Sequence, residues 1–108
     1  MPHAEGTLRG EDADNLTAEF TVEGKKVKFF ATAESDVKRF PPMPATLHYD
    51  LTSDLDGTHT FLGRLGSDKF AFELDNGPRF WGDFESSGFK PAVVTDGTGD
   101  WNMEKSTT

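Results

Sequence analysis

Apolar and polar residues alternate along most of this chain, a pattern typical of β-strands with one buried face. Between residues 15 and 23, the apolar side chains occupy every second position, at Leu16, Ala18, Phe20 and Val22. Since the side chains of a strand point alternately to opposite faces, this spacing predicts a strand with one face toward a core. The same alternation predicts further strands over residues 6–9, 26–33, 45–52, 58–65, 69–75, 78–85, 89–95 and 100–104.

Short stretches rich in Gly, Asn and Asp separate these segments and predict turns. Gly24-Lys25 and Asn76-Gly77 are suited to hairpin turns between paired strands, and residues 96–99 (DGTG) predict another turn. The longest connection covers residues 34–44. We expect a single helical turn there, ended by Pro41, Pro42 and Pro44, because proline cannot continue a helix.

Two stretches of the chain resemble each other. Phe20 matches Phe72, and residues 28–31 (KFFA) match residues 79–82 (RFWG). The similarity predicts an internal repeat with pseudo-two-fold symmetry, whose halves are approximately residues 5–55 and 56–104. Pieces of about 50 residues without disulfides seldom fold alone, so we expect both halves to share one core in a single domain of residues 1–108.

Aromatic and β-branched residues dominate the apolar set, which includes ten Phe and two Trp. This composition favours strands over helices. An open meander of this length would leave one apolar face in water, so we predict an all-β fold that closes. The expected form is an eight- or nine-stranded antiparallel barrel with sequential strands as neighbours, and the alternative is a two-sheet sandwich.

Charge and composition narrow the classes of partner. The net charge of −8 disfavours direct binding to nucleic acid or to anionic membranes. There is no cysteine, and no apolar stretch approaches the ~18 residues that a membrane span needs. The N-terminal residues do not form the pattern of a signal peptide. We therefore expect a cytoplasmic protein, with the mature form of an exported protein as the alternative.

Few residues suggest catalytic or metal chemistry. His48, Asp50 and His59 offer the side-chain types of a metal or acid–base site, but their spacing matches no zinc motif. A calcium loop built on residues 54–57 (DLDG) would lack its first and last ligands. Phosphate-binding, dinucleotide-binding and nucleophile motifs are missing from the sequence. We therefore predict no cofactor, no metal site and no catalytic residue.

The most informative positions are two large aromatic residues on strand faces that the alternation predicts to face solvent. Phe30 and Trp81 occupy matched positions in the repeat where alternation predicts polar groups, and Arg79 and Asp83 flank Trp81. A loop could cover these aromatics, a ligand could stack on them, or a partner could dock there, including a second subunit in a homodimer. Alternatively, the local faces are reversed and the residues line the barrel interior. Together with His48, these residues form the candidate binding site.

Three functions fit this pattern. The first is a non-enzymatic binding module that uses the aromatic and basic face, or the barrel mouth, for an unidentified small ligand or protein partner. The second is an acidic inhibitor or immunity-type protein that docks on a basic partner. The third is a small barrel isomerase, cyclase or lyase acting on an apolar substrate, with His48, Asp83 and Arg79 as acid–base candidates.

Overall fold

The computed structural model describes residues 3–12, 14–34, 37, 39–84, 88–89 and 91–103, and it forms a closed barrel of eight antiparallel strands. The strands are β1 (His3–Asp12), β2 (Asn15–Val22), β3 (Lys25–Ala33), β4 (Phe40–His48), β5 (Thr58–Leu65), β6 (Lys69–Leu74), β7 (Arg79–Asp83) and β8 (Val93–Met103). A short 3-10 turn spans Thr52–Asp54. The predicted all-β barrel is confirmed, and the sandwich alternative is wrong. Over the described ranges, no helix is long and apolar enough to cross a membrane.

The order of strands around the barrel is β1-β2-β3-β8-β5-β6-β7-β4. The prediction that all sequential strands are neighbours is therefore wrong for three pairs: β3 and β4, β4 and β5, and β7 and β8. Strand β4 crosses over to pair with β1 and β7, and β8 lies between β3 and β5. Each group of four strands thus has its fourth strand beside its first, which is the order of a Greek key. Strands β3 and β7 lie on opposite sides of the barrel.

Aromatic rings fill the barrel interior. Phe29 on β3 and Phe80 on the opposite strand β7 approach across the axis, with ring centroids 6.3 Å apart. Phe72 stacks on Phe80 at 5.0 Å, and Phe20 lies 5.4 Å from Phe80. All four side chains are buried. Since rings from opposite walls meet, the interior at this level holds protein side chains rather than a ligand space.

A second aromatic cluster closes the end of the barrel where β4 begins. The Phe40 ring lies 5.3 Å from Phe84 and 6.0 Å from Phe89, and Phe70 lies 5.2 Å from Phe84. The cluster joins strands β4 and β6 to the connection after β7. Val37, from the connection before β4, is also buried.

Strand β4 begins earlier than predicted. It covers Phe40–His48 instead of residues 45–52, so Leu51 lies outside the strand and is exposed, and the prolines lie inside it. Residues 45–48 pair with β7, whereas Phe40, Met43 and Pro44 pair only with β1 and residues 41–42 lie at the bulge between these pairs. Prolines are tolerated on a strand edge because no neighbour needs their missing N–H. Of the predicted helical turn, residues 35, 36 and 38 lie outside the described residues.

Strand β8 is continuous through residues 96–99, where the sequence predicted a turn. A Cβ on Gly99 would lie 2.3 Å from the Phe29 ring, and a Cβ on Gly97 would lie 2.2 Å from the backbone oxygen of Thr32. These glycines therefore serve close packing inside a strand. The two strands predicted over residues 89–95 and 100–104 are one, and the total is eight.

The two matched hairpins have different turns. The first turn is Glu23-Gly24, one residue earlier than predicted, and both residues have positive φ (51° and 80°), as a type I′ turn requires. The second connection covers residues 75–78. Phe20 consequently pairs with Val27, whereas Phe72 pairs with Phe80. When β3 is aligned with β7, as the repeat predicts, Phe20 and Phe72 therefore do not coincide. They are offset from each other by two residues.

Candidate functional site

The five residues of the predicted site lie outside the barrel core, but they do not form one surface. Trp81 and Arg79 project from β7, and His48 lies beside them on β4, opposite Arg79 in the register. Phe30 lies on β3, on the opposite side of the barrel. The alternative in which these residues line the interior is wrong, since Phe30 is 45% exposed and the inward positions are held by Phe29 and Phe80.

Trp81 forms the centre of a cluster of side chains. The His48 ring meets Trp81 edge-on, with centroids 4.5 Å apart, and His3 lies 5.7 Å from His48. The Arg79 guanidinium carbon lies 6.0 Å from the centre of the Trp81 ring, which is cation–π distance. These contacts hold the Trp81 ring in place while leaving it only half-buried.

A shallow depression of about 110 Å³ adjoins Trp81. Its rim contains Leu62, Arg64, Ala71, Glu73, Arg79 and Trp81. The small side chain of Ala71, which lies opposite Trp81 in the register, leaves room beside the indole. Leu62, Arg64 and Ala71 were not predicted. The break in alternation at outward-facing Leu62 is the signal that would have revealed this part of the site.

Two arginines of this rim are available to a ligand. Within the described ranges, neither Arg64 nor Arg79 has a carboxylate oxygen within 4.0 Å, although Glu73 lies opposite Arg79 in the register. Both side chains are exposed. In a chain of net charge −8, these two guanidinium groups beside an indole can donate charge-assisted hydrogen bonds to an anion.

Asp83, in contrast, is engaged elsewhere. Its Oδ1 lies 3.3 Å from Lys69 Nζ, and the two side chains are 73% and 75% exposed. A surface ion pair of this kind contributes little to stability. Asp83 shares the outward face of β7 with Trp81, but it faces the end of the barrel away from His48.

The histidines do not form the metal or acid–base group that the sequence raised as a candidate. Groups of three or more ligating side chains suited to a metal ion do not occur among the described residues. His48 Nδ1 is buried and has no hydrogen-bond partner within the described part of the chain. His59 is instead bound to Asp75.

The bond between His59 and Asp75 ties strand β5 to the β6–β7 connection. His59 Nδ1 lies 2.8 Å from Asp75 Oδ1, and Thr60 Oγ1 donates to Asp75 Oδ2 at 3.1 Å. Removal from water raises the pKa of Asp75, but the hydrogen bonds from His59 and Thr60 outweigh it and lower that pKa overall. No spacing in the sequence indicates this pair, because it depends on where the β6–β7 connection lies against β5.

Carboxylates gather around a second, larger depression of about 560 Å³ on strands β8, β5 and β6. Glu34, Glu73, Asp75 and Asp96 line it, together with Thr60, Thr98 and the partly exposed Leu62. Four of the 19 acidic residues are thus grouped around one depression next to the Trp81 rim. Glu73 belongs to both depressions.

Phe30 borders a separate depression of about 440 Å³. Arg9, Thr17, Thr32 and Arg39 line it as well. Arg9 is paired with Glu11. Phe30 and Trp81 therefore border two different depressions of the surface.

Comparison with known proteins gives no match: no family model, no curated protein and no solved structure is matched by this chain.

Proposed function

We propose that this protein is a non-enzymatic binding module whose ligand docks on the outer face of β5, β6, β7 and β4, around Trp81. The observation that carries the proposal is an outward-facing indole beside the guanidinium groups of Arg64 and Arg79, neither of which has a carboxylate oxygen within 4.0 Å among the described residues. A flat apolar group can pack against the indole while a carboxylate accepts hydrogen bonds from an arginine. The filled interior also favours an external site.

The chemistry of the rim favours a small ligand that carries one ring and one carboxylate. The net charge of −8 repels polyanions, but ionic screening over about 8 Å limits this effect on a single charge held close to an arginine. A stable protein interface buries at least about 1,000 Å² of surface in total, whereas this depression is small, with a volume of about 110 Å³.

The test uses 2-naphthoate as the probe and amide chemical shifts of the labelled protein as the readout. We expect shifts at Ala71, Trp81 and the indole N–H, and a loss of these shifts in Trp81→Thr. Leu51→Thr is the control, because Leu51 is an exposed apolar residue that lies away from the rim. Binding that is unchanged in Trp81→Thr, or shifts that are confined to other surfaces, would contradict the proposal.

A protein partner is the other form of this function. If Trp81 lies at the interface of a homodimer, the sedimentation coefficient should rise with concentration and Trp81→Thr should abolish the rise. If the wild-type chain stays monomeric at high concentration, the homodimer is excluded and the small ligand is favoured.

The second candidate function is docking on a basic partner, and the grouping of Glu34, Glu73, Asp75 and Asp96 around one depression favours it. Electrostatic attraction of this kind is strong at low salt and is lost as salt rises. The probe is poly-L-lysine. Glu73→Gln combined with Asp96→Asn should weaken its binding more than Glu5→Gln combined with Glu23→Gln, which removes the same charge from other surfaces. If both double variants weaken the binding of poly-L-lysine equally, the net charge alone explains the binding and docking at this depression is contradicted.

We also propose that the two four-strand groups are copies of one duplicated unit. Their common strand order and the common inward position of Phe29 and Phe80 support this. Homologous sequences would test it: the two halves should be more alike in an ancestral sequence reconstructed from them than in this chain, and halves that are no more alike there would contradict the duplication.

A further inference from the structure

The surroundings of Trp81 have a counterpart on the opposite side of the barrel. In both places an arginine, a small residue and an outward aromatic residue lie side by side on three neighbouring strands. The two rows are Arg64, Ala71 and Trp81 on β5, β6 and β7, and Arg9, Thr17 and Phe30 on β1, β2 and β3. Both rows follow directly from the strand register, and the aromatic residue is on the third strand of its group each time.

The neighbouring rows also correspond. One step along the outer face, the middle strand of each group carries a glutamate and the third strand carries a basic residue. These pairs are Glu73 with Arg79, and Glu19 with Lys28. The correspondence therefore extends over five positions on each side and does not depend on a single exposed ring.

The spacing of the row is suited to a flat ring. Neighbouring strands lie about 4.8 Å apart, so the arginine and the aromatic residue are separated by about 10 Å at the backbone, with the small residue between them. A ring placed over the small residue contacts the aromatic side chain, and a carboxylate on that ring reaches the guanidinium group. We call this arrangement a slot.

We propose that the slot of Arg9, Thr17 and Phe30 is a second binding site for the same ring-bearing monocarboxylates, so that one chain binds two ligands on opposite sides of the barrel. This inference rests on the proposed function of the Trp81 slot. It assigns a role to Phe30, whose apolar ring is 45% exposed and therefore adds little to the core.

The two slots are expected to differ in affinity. Arg9 is paired with Glu11, so a ligand must compete with that carboxylate, whereas Arg64 has no such pair within the described residues. Thr17 is 5% exposed, so the flanking side chains must also separate before a ring can enter. We therefore expect the Phe30 slot to bind about tenfold more weakly than the Trp81 slot.

If the ligand is attached to a larger molecule, a chain with two slots could bridge two such molecules. The outer faces of β3 and β7 point in opposite directions, so one chain could hold two such molecules at once. The two surfaces are separated by the width of the barrel, whose shorter extents are 26 and 24 Å. Bridging of this kind raises the overall strength of attachment without any new contact.

The test follows the amide shifts during titration with 2-naphthoate in the wild type, in Phe30→Thr, in Trp81→Thr and in the control Leu51→Thr. In the wild type we expect two groups of shifts with different midpoints, one around Thr17 and Phe30 and one around Ala71 and Trp81. Phe30→Thr should remove only the first group and Trp81→Thr only the second. Leu51→Thr should keep both.

The role of the arginines is tested in the same way. Arg9→Gln and Arg64→Gln should each weaken binding about tenfold at their own slot, and the uncharged probe 2-naphthamide should bind both slots about tenfold more weakly than 2-naphthoate. Equal binding of the acid and the amide would contradict a carboxylate site.

The outcomes separate this inference from the proposed function. If 2-naphthoate shifts only the Trp81 group, and Phe30→Thr changes nothing, the second site is wrong and the Trp81 site stands. If neither group shifts, both are wrong. If only the Phe30 group shifts, the Trp81 proposal fails and the Phe30 slot stands as a single site, which contradicts the inferred pair.

Discussion

Replacement of Gly99 by alanine tests whether the interior is as tightly filled as the ring contacts indicate. The added Cβ would lie 2.3 Å from Phe29 Cζ and 2.6 and 2.8 Å from two other ring atoms. Carbon atoms in contact are normally about 3.5–4.0 Å apart, so the ring would have to move by more than about 1 Å. Phe29 is fully buried, and Trp101 lies only 4.8 Å from it.

The expected cost follows from two opposing terms. Forcing an extra methyl group into a packed core costs about 1–3 kcal/mol, and the upper end applies here because three rings surround Phe29. Alanine restricts the unfolded chain more than glycine does, which returns about 0.4–1 kcal/mol. We therefore expect Gly99→Ala to lower the free energy of unfolding by about 2 kcal/mol.

Urea unfolding followed by tryptophan fluorescence measures this change. With an m-value of about 1.5 kcal/mol/M, the midpoint should fall by about 1.3 M. Phe29→Leu makes room for the new methyl group, so the double variant should be less destabilised than the sum of the single variants, by at least about 1 kcal/mol. Thr98→Ala, on the outer face of the same strand, is the control and should cost less than about 1 kcal/mol.

A midpoint for Gly99→Ala equal to or above that of the wild type would refute the reasoning. Additive costs in the double variant would also contradict it, because they would show that the alanine does not meet the Phe29 ring. In either case Gly99 would have to be explained by the backbone alone.

Three further predictions concern the pH response, the strand edge and the two tryptophans. Because the pKa of Asp75 is lowered in the folded protein from its ordinary 3.8, its carboxylate stabilises the fold above that pH and loses this contribution as the pH falls further. The urea midpoint of Asp75→Asn should therefore lie below that of the wild type at pH 6 and approach it as the pH falls below 3.8. Pro41→Val combined with Pro42→Val adds backbone N–H donors to a strand edge that is paired on one side only. Aggregation through this edge should increase, and light scattering on heating measures it. Thr32→Val, in a strand paired on both sides, is the control and should not increase the scattering. Trp81 is half-buried and Trp101 is buried, so acrylamide should quench Trp101→Phe several-fold more than Trp81→Phe, and equal quenching would contradict the outward position of Trp81.

The strands and their inward faces could be predicted because they depend on local alternation. The inward positions of Phe20, Phe29, Phe72 and Phe80 follow from the period of two, and all four are buried. A closed or two-sheet arrangement also follows, because these rings need to be covered, but the pattern does not distinguish a barrel from a sandwich. The order of the strands cannot be predicted from the local pattern, because it depends on which strands pair with each other after a long connection.

Two strands show why local signals failed. Prolines normally end regular structure, but Pro41, Pro42 and Pro44 lie where β4 has a neighbour on one side only. Glycines normally mark turns, but Gly97 and Gly99 lie where rings from other strands occupy the space of a side chain. Both exceptions arise from contacts with residues distant in the sequence, so no window around these positions could reveal them.

The candidate site could be predicted only in part, because it also depends on contacts between residues distant in the sequence. The outward positions of Phe30 and Trp81 follow from alternation, and the structure places both outside the core. Their location on opposite sides of the barrel depends on the position of β8 between β3 and β5, which the sequence did not indicate. Arg64 and Ala71 were missed because they reach Trp81 only through the register of three strands.

The geometry of an eight-stranded barrel explains why recognition should take place on its outer face. A barrel of eight strands has an interior just wide enough to be filled by side chains, and here Phe29 and Phe80 meet across it. An internal site would require smaller residues at these positions, at a cost of about 3–5 kcal/mol for each ring removed. An outward ring such as Phe30 or Trp81 contributes much less to the core, so its identity can be set by a ligand. The outer face can therefore acquire binding residues without weakening the barrel, and we propose that this chain has them in the two rows of arginine, small residue and aromatic ring.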